Sequence, residues 1–478
     1  MVTAGDHIIK TNYNIVARNS VTGAKKYFLI LGDIFILYFS LWLTLIIRYG
    51  ERYSNELWLR HLWPFTLVFL VWLVIFYIDD LYELNFRQGR ANILNRVIRD
   101  ILIGGILAII FFYLGENRLF AIKPQTVLLI NAGIAVFSIY LWHLAFDSFI
   151  KLSKTNSLVI IGFNPLVREV IEEIKKRPQL GFQLKYIIVE DSNTSIPDDL
   201  RSITVYDHFE NLKNICLNNK INTIVSNIHP RDNVSLSKSL FDCLPLRINF
   251  SDIANFYEKI TGKIPVTTIE QIWFLENLEE SNKKFYERAK RVFDLVFSII
   301  LFVLSFPFIP LIALIIKLSS QGKVFFTQIR VGKNGQSFKA IKFRTMFKNA
   351  ETNGPQWATT NDSRVTKVGR LLRKTRIDEI PQLLNVIKNE MSIIGPRPER
   401  PEFVEQLQNQ IPFYKERLLI KPGLTGWAQV VGPAYGGSKE ESLEKLQYDL
   451  FYIKNRSLTL DLSILLKTIR IVLSRKGQ

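Results

Sequence analysis

Two segments, FKAIKFRTM (338–346) and TRIDEIPQLLNVIKNEMSIIGPRP (375–398), decide how this chain is read. Within them stand a basic strand-like run (Lys339, Lys342, Arg344), an adjacent acid pair (Asp378, Glu379) and an arginine between two prolines (Pro396, Arg397, Pro398). Cations, paired carboxylates and a rigid arginine suit a site that handles a phosphate ester and a divalent metal. Phosphoryl chemistry asks mainly for positioning and charge stabilisation. The acid pair also has an ordinary reading, because carboxylates ahead of a proline commonly cap a helix start.

Charge around these segments is uneven. The chain has 478 residues, 48% of them apolar, and a net charge of +18. That length suits about three domains. Residues 281–478 hold 33 Lys and Arg against 16 Asp and Glu, whereas the first 280 hold 28 against 27. So basic a region suits nucleic acid, an anionic membrane face or phosphorylated substrates, and nearby apolar runs favour the last two. Cys216 and Cys243 are the only cysteines, which excludes a disulfide framework and fits a reducing compartment. All five histidines (His7, His61, His143, His208, His229) precede the basic region. Its chemistry therefore has neither an imidazole base nor a His-rich zinc site.

Four apolar runs fill the first third, at about 27–47, 62–78, 101–115 and 127–149. The first and fourth reach the ~20 residues that span a bilayer core, and tilt brings in the others. Asp33 interrupts the first run, and an intramembrane carboxylate is expected to face other helices. Lys10, Arg18, Lys25 and Lys26 precede the first run, while Arg87, Arg90, Arg96 and Arg99 lie between the second and third. This bias puts both ends of a four-helix bundle in the cytoplasm. The first run begins too far in for a signal peptide, so no cleavage is expected. Buried core helices of a soluble protein are the alternative.

From Ser157 the pattern changes. SLVIIG, YIIVED, TIVSN and LRINF read as strands separated by helical segments such as NPLVREVIEEIKKRP, which implies a parallel α/β sheet of Rossmann type. A dinucleotide fingerprint needs G-x-G-x-x-G, and here only Gly162 of GFNPLV is present. A structural or regulatory domain is expected ahead of a dinucleotide binder, although Asp191 could serve as a ribose acid.

A fifth apolar run, VFDLVFSIILFVLSFPFIPLIALIIKL (292–318), carries Pro307 and Pro310 near its middle, where a sharp bend is expected. Basic clusters flank both ends. A straight crossing would place the basic region outside the cytoplasm, whereas a helix that enters, bends and returns keeps both ends inside. A kinked spanning helix is the rival reading. GKVFFTQIRVGKNGQSFKAIKFRTM then reads as a β-hairpin around a Gly-Lys-Asn-Gly turn, and RVTKVGRLLRKTRIDEIPQLLNVIK as helical.

In order, the bent run, QIRVGKNGQSFKAIKFRTM, RIDEIPQLLNV, MSIIGPRPERPEF, KPGLTGWAQV and QYDLFYIKNRSLTLDLSILLKT resemble the bacterial sugar transferase family. Its members are monotopic polyprenyl-phosphate phosphoglycosyl transferases. The resemblance covers about 285–475, and the N-terminal parts are similar to the large members that initiate exopolysaccharide or O-antigen repeat units. It implies three parts: a membrane α-helical bundle (1–155), an α/β Rossmann-like domain (156–280) and an α/β phosphoglycosyl transferase domain (281–478) with a re-entrant helix broken at Pro307.

The activity implied is transfer of a sugar-1-phosphate from a UDP-sugar to undecaprenyl phosphate, with release of UMP, at the cytoplasmic face of the bacterial inner membrane. By motif, Asp378 is the nucleophile that forms a covalent phosphosugar intermediate, and Glu379 helps hold Mg²⁺. Lys342, Arg373 and Arg397 match positions around the phosphates, and Asp449 is a substrate-side candidate. Partners implied are the UDP-sugar, undecaprenyl phosphate and membrane lipid. A homodimer is compatible with the sequence and no nucleic acid is expected. The residues agree with this chemistry: a carboxylate is ionised at pH 7 without a histidine, and a displacement split in two is what covalent catalysis offers.

Two departures stand out. Relatives place Ser before the helix-breaking proline, where this chain has Phe306 with Ser305 one position earlier, and Val431-Gly432 replaces an Asn-Gly after WAQV. No sugar is assigned. Arg400 reads as a surface or headgroup contact, and Trp427 as an interfacial anchor or loop packing. Leu462, Leu465, Leu466, Ile469, Val472 and Leu473, edged by Lys467, Arg470 and Arg475, suggest an interfacial terminal helix. The rival function is a non-catalytic membrane scaffold or sensor of polysaccharide assembly. Such a protein would not require the acid pair or Arg397.

Overall fold

The computed structural model describes residues 22–82, 90–114, 125–152, 155–190, 194–206, 208–278, 283–348, 350, 354, 357, 362–432 and 438–473. His7, Lys10, Arg18, Arg87, Asp191 and Arg475 lie outside the described residues. The described chain divides into two compact units. One holds the segments up to 163 with 171–224 and 230–250, and the other holds 164–170, 225–229 and the segments from 251 onward.

In the first unit, four apolar helices run over Thr22–Tyr49, Asn55–Ile78, Arg90–Leu114 and Gln125–Leu152. Side chains four apart share a helix face. Leu37, Leu41 and Leu45 accordingly form one buried stripe, and Phe65, Phe69, Trp72 and Phe76 another. Phe35, Leu59, Leu102 and Phe137 point outward. At Gly32 a Cβ would sit 2.2 Å from the Trp142 ring, so only glycine admits that close approach. Next to it Asp33 is fully buried, with both carboxylate oxygens 3.2 Å from His143 Nε2. Among the described residues, three of these helices and the later 284–319 segment are long and apolar enough to cross a membrane.

The five-stranded sheet that follows has strands Asn156–Ile161, Phe182–Val189, Thr204–Tyr206, Thr223–Ser226 and Asn249–Asp252, ordered third-second-first-fourth-fifth. The first pairs parallel with the second and the second with the third. The short third strand was not read from the sequence, being only three residues of half-buried chain. Asn164 Oδ1 accepts the Val167 N–H at 2.8 Å at the start of the Pro165–Lys176 helix. That amide is one of the free donors a dinucleotide fold would turn toward pyrophosphate.

The second unit takes in more than the basic region. Ile264, Val266 and Ile269 share a core with Val386, Met391, Leu450 and Ile464. From the Ile253–Thr261 helix, buried Glu258 pairs with Lys454 at 2.7 Å and also accepts from Asn455. Trp427 donates to the Gly262 carbonyl at 3.2 Å and packs near Phe451, so its role is internal packing.

The fifth apolar run forms a helix over Lys284–Ser305, a 3-10 turn at Phe306–Phe308 containing Pro307, and a second helix over Ile309–Ser319. Proline at 307 has no N–H to offer. The Phe306 N–H reaches both Phe302 and Val303 carbonyls, and Ser305 Oγ donates to Phe302 at 2.9 Å. The carbonyl that Pro307 leaves free, that of Val303, is met by the Phe306 N–H, and the serine one position early bonds the neighbouring carbonyl instead. Both ends of the run are tied to the same unit. Arg291 donates to the Val386 and Ile387 carbonyls and Asp294 accepts from Ile393 N–H, while Ile316 packs on Phe343 and Leu372. Between those ties Ile299, Val303, Leu304, Phe306, Phe308, Leu311 and Leu314 are exposed.

Strands Phe325–Val331 and Ser337–Phe343 form the expected hairpin, antiparallel with Phe326 opposite Lys342. Its turn places Asn334 and Gly335 at positive φ. The helical stretch read over 364–388, with the acid pair ahead of a first-turn proline, forms three pieces: a helix at Lys367–Lys374, a 3-10 turn at Ile377–Gln382 that holds the acids and Pro381, and a helix at Leu383–Ile387. The chain breaks because Arg376 adopts the left-handed region (φ +59) and Pro381 cannot donate. In the last helix, Leu458–Leu473, Asp461 and Ile464 are buried while Leu462 and Ile469 stay exposed.

Candidate active site

The break at Arg376 has a chemical consequence, because it turns the acid pair inward. Asp378 and Glu379 are both buried in the 3-10 turn. Asn385, about two turns later, fixes the turn to the hairpin strand: its Nδ2 donates to the Lys339 carbonyl at 2.8 Å and its Oδ1 accepts from Ile341 N–H. The strand alternation then aims Lys342 at the acids.

Glu379 is the hub. Lys342 Nζ and Arg397 Nη2 each lie 2.8 Å from its Oε1, and Arg376 Nη1 lies 3.7 Å away. Burial alone would raise this carboxyl, yet Arg397, Lys342 and Arg376 together hold it well below the usual range. Asp378 behaves oppositely. Burial, and then the Glu379 charge, push it up to about 6 against the pull of Lys342, Arg373 and Arg376. Its Oδ1 is sealed from solvent and has no hydrogen-bond partner. One acid is thus an anchor whose charged form three cations favour, and its neighbour is a carboxylate with an unpartnered oxygen.

Arg373 stands at the edge of this cluster, its Nε donating to Thr345 Oγ1 at 2.9 Å. Five of the sequence candidates (Lys342, Arg373, Asp378, Glu379, Arg397) are therefore brought together. Asp449 is not among them. It is buried behind the Pro-Arg-Pro turn and pairs with Arg417 at 2.8 Å, and burial raises its carboxyl to about 6. Arg400 is not a surface contact either: it lies over the Phe403 ring, with 12% of its side chain exposed. The sequence reading missed Arg376, although a cation three residues before an acid on a helical turn is a recognisable pair. It also missed Arg417 and Arg330, which no local signal marks.

Among the described residues no cluster of three or more His, Cys, Asp or Glu side chains could hold a metal ion alone. Glu379 nonetheless fits a hard divalent cation, since its contacts with Lys342, Arg397 and Arg376 all fall on Oε1. Mg²⁺ binds through one or two carboxylates plus substrate phosphates and water, not an all-protein cage.

Comparison with known proteins places this geometry in a family. Residues 285–475 match the model of the bacterial sugar transferases. A UDP-N-acetylgalactosamine-undecaprenyl-phosphate N-acetylgalactosaminephosphotransferase of Aeromonas hydrophila is 39% identical over 264 residues, 52% of this chain and 62% of the relative. A UDP-glucose:undecaprenyl-phosphate glucose-1-phosphate transferase of Klebsiella pneumoniae is 33% identical over 318 residues, 64% of this chain and 66% of that one. The exopolysaccharide production protein ExoY of Sinorhizobium fredii is 38% identical over 204 residues, 40% of this chain and 87% of its own length. The chain belongs to the bacterial sugar transferase family. It spans just under two thirds of the first two of these relatives.

Proposed function

We propose that the protein transfers a sugar-1-phosphate from a UDP-sugar to undecaprenyl phosphate at the inner face of the bacterial cytoplasmic membrane, releasing UMP. The observation that carries this reading is the asymmetry of the dyad: Asp378 has a buried, unpartnered oxygen beside a Glu379 already neutralised by cations. The names of the relatives support the substrate classes, and they differ in the sugar.

In the first step the Asp378 carboxylate attacks the sugar-bearing phosphorus. The pyrophosphate bond breaks, and UMP leaves with the bonding pair. Arg397, Lys342 and Arg373 are placed to offset its growing charge. In the second step a phosphate oxygen of undecaprenyl phosphate attacks the aspartyl phosphate, and the carboxylate is released unchanged. No proton is transferred in either displacement, which suits a domain without histidine. Glu379, with Asp378 beside it, would hold Mg²⁺, which supplies charge neutralisation at the pyrophosphate.

We read the bent helix as one that enters and leaves the membrane on one side, which fits the membrane-surface placement. Both its ends bind the same unit and its exposed middle is apolar. The positive-inside bias assigns that side to the cytoplasm. The 3-2-1-4-5 strand order supports a Rossmann-like middle domain, with its first helix capped by Asn164.

The test is UMP release from a panel of UDP-sugars by the full chain in lipid nanodiscs with undecaprenyl phosphate and Mg²⁺. Asp378→Asn is expected to insert normally and release no UMP, and label from a sugar-phosphate-labelled substrate is expected on Asp378 of the wild type. Undiminished turnover in the variant would reject the nucleophile.

A further inference from the structure

The Pro396–Arg397–Pro398 turn is held in an unusual way. Four successive carbonyls, 396 to 399, are each taken by a different donor. Gly423 N–H serves Pro396 at 2.9 Å and Val331 N–H serves Glu399 at 2.9 Å. The two between them are served by side chains: Arg417 Nη2 donates to the Arg397 carbonyl at 3.0 Å, and Arg330 Nη1 to the Pro398 carbonyl at 3.0 Å. Prolines fix φ at two of these positions but leave ψ free. The orientation of Arg397 therefore depends on what grips its carbonyl.

Arg417 is 5% exposed and both its terminal nitrogens are engaged. Nη1 donates to Tyr414 Oη at 2.7 Å, and Nη2 to the Arg397 carbonyl at 3.0 Å and to Asp449 Oδ2 at 2.8 Å. A buried guanidinium without a counter-charge would be strongly destabilising. Asp449 supplies that charge, with Glu399 and Lys445 the other charged groups facing the pair. On its other side Arg397 reaches Glu379.

We propose that Arg417, charge-balanced by Asp449, is a positioning residue that fixes the Pro-Arg-Pro turn and thereby aims the Arg397 guanidinium at Glu379 and at the phosphates of the nucleotide sugar. Asp449 then acts two steps from the chemistry and touches no substrate. This inference rests on the proposed reaction for its kinetic consequence but not for its structural one.

The experiment uses the full chain in nanodiscs. Arg417→Lys keeps the buried charge opposite Asp449 but loses the planar fork. It is expected to lower kcat for UMP release about ten- to a hundredfold, the scale of a misplaced catalytic contact, with KM changed less than about threefold. In an Arg397→Gln background the same change is expected to cost less than about twofold, because residues acting through one another are not additive. An equal loss in both backgrounds, or no loss in folded protein, overturns the proposal.

Hydrogen exchange supplies a second readout, with faster exchange expected in the 392–400 segment of Arg417→Lys but not in the hairpin 325–343. Unchanged exchange there also overturns it. If wild type releases no UMP from any UDP-sugar, the reaction fails while the exchange measurement still decides the positioning. Should Arg417→Lys fail to accumulate, Tyr414→Phe takes its place in every arm. It keeps the Arg417–Asp449 pair and the donor to Arg397 and removes the Tyr414 Oη that steadies the guanidinium, so the same outcomes apply with smaller losses.

Discussion

Asp378 and Glu379 are neighbours in sequence with opposite electrostatic fates. Three cations converge on Glu379, while burial dominates at Asp378. A nucleophilic carboxylate works only when ionised, so UMP release in the absence of other titrations is expected to fall as pH drops through about 6. A pH profile of kcat/KM checks this, and a limb near 4 would show that Asp378 is not held up. Stability responds with the opposite sign. A carboxyl whose pKa is raised in the fold is penalised when charged, fully above about 6 and not at all below its ordinary value. That penalty is about 3 kcal/mol by the usual conversion. Asp378→Asn is therefore expected to raise the melting temperature at pH 7.5 in metal-free buffer and to raise it much less at pH 4. Equal shifts at both values would show that burial does not hold the Asp378 carboxyl up.

At the scale of elements, the bent helix carries the clearest commitment. Its two halves are joined by the Phe306–Phe308 turn, and both outer ends grip one unit. Single cysteines at Arg288→Cys and Lys323→Cys, in a chain with Cys216 and Cys243 replaced by serine, are expected to react with an impermeant maleimide from the same side of the membrane. Labelling from opposite sides would turn the helix into a kinked span. This element was legible in outline, because an apolar run with two central prolines and basic flanks is a local pattern. The stretch around the dyad was less so. In RVTKVGRLLRKTRIDEIPQLLNVIK the proline marks a helix start beside the acids, but nothing local marks the left-handed Arg376 that turns them inward. A positive φ at an arginine is decided by what the following turn must reach, here Lys342 and Arg397 across the unit.

For the molecule as a whole, the boundary of the C-terminal unit rests on a buried charge. Glu258 meets Lys454 nearly two hundred residues away, both about 9% exposed at the side chain. Removing one partner of such a pair costs about 3–5 kcal/mol, far more than an exposed ion pair contributes. Glu258→Ala is expected to lower the melting temperature of the full chain markedly, and Glu258→Ala with Lys454→Met to recover much of the loss. No loss in the single variant would mean the 253–261 helix is held by its apolar contacts alone.

Run lengths, charge asymmetry and the order of short motifs were enough to read membrane segments, a parallel α/β sheet and a basic domain with an acid dyad. Each of these is a property of composition or near-neighbour spacing, which folding does not alter. Which acid is neutralised, which is left with a free oxygen, and that Asp449 faces Arg417 instead of the dyad came only from tertiary structure. Those outcomes depend on Lys342, Arg397 and Arg417 arriving from separate elements at one buried point, where loss of water lets their charges act.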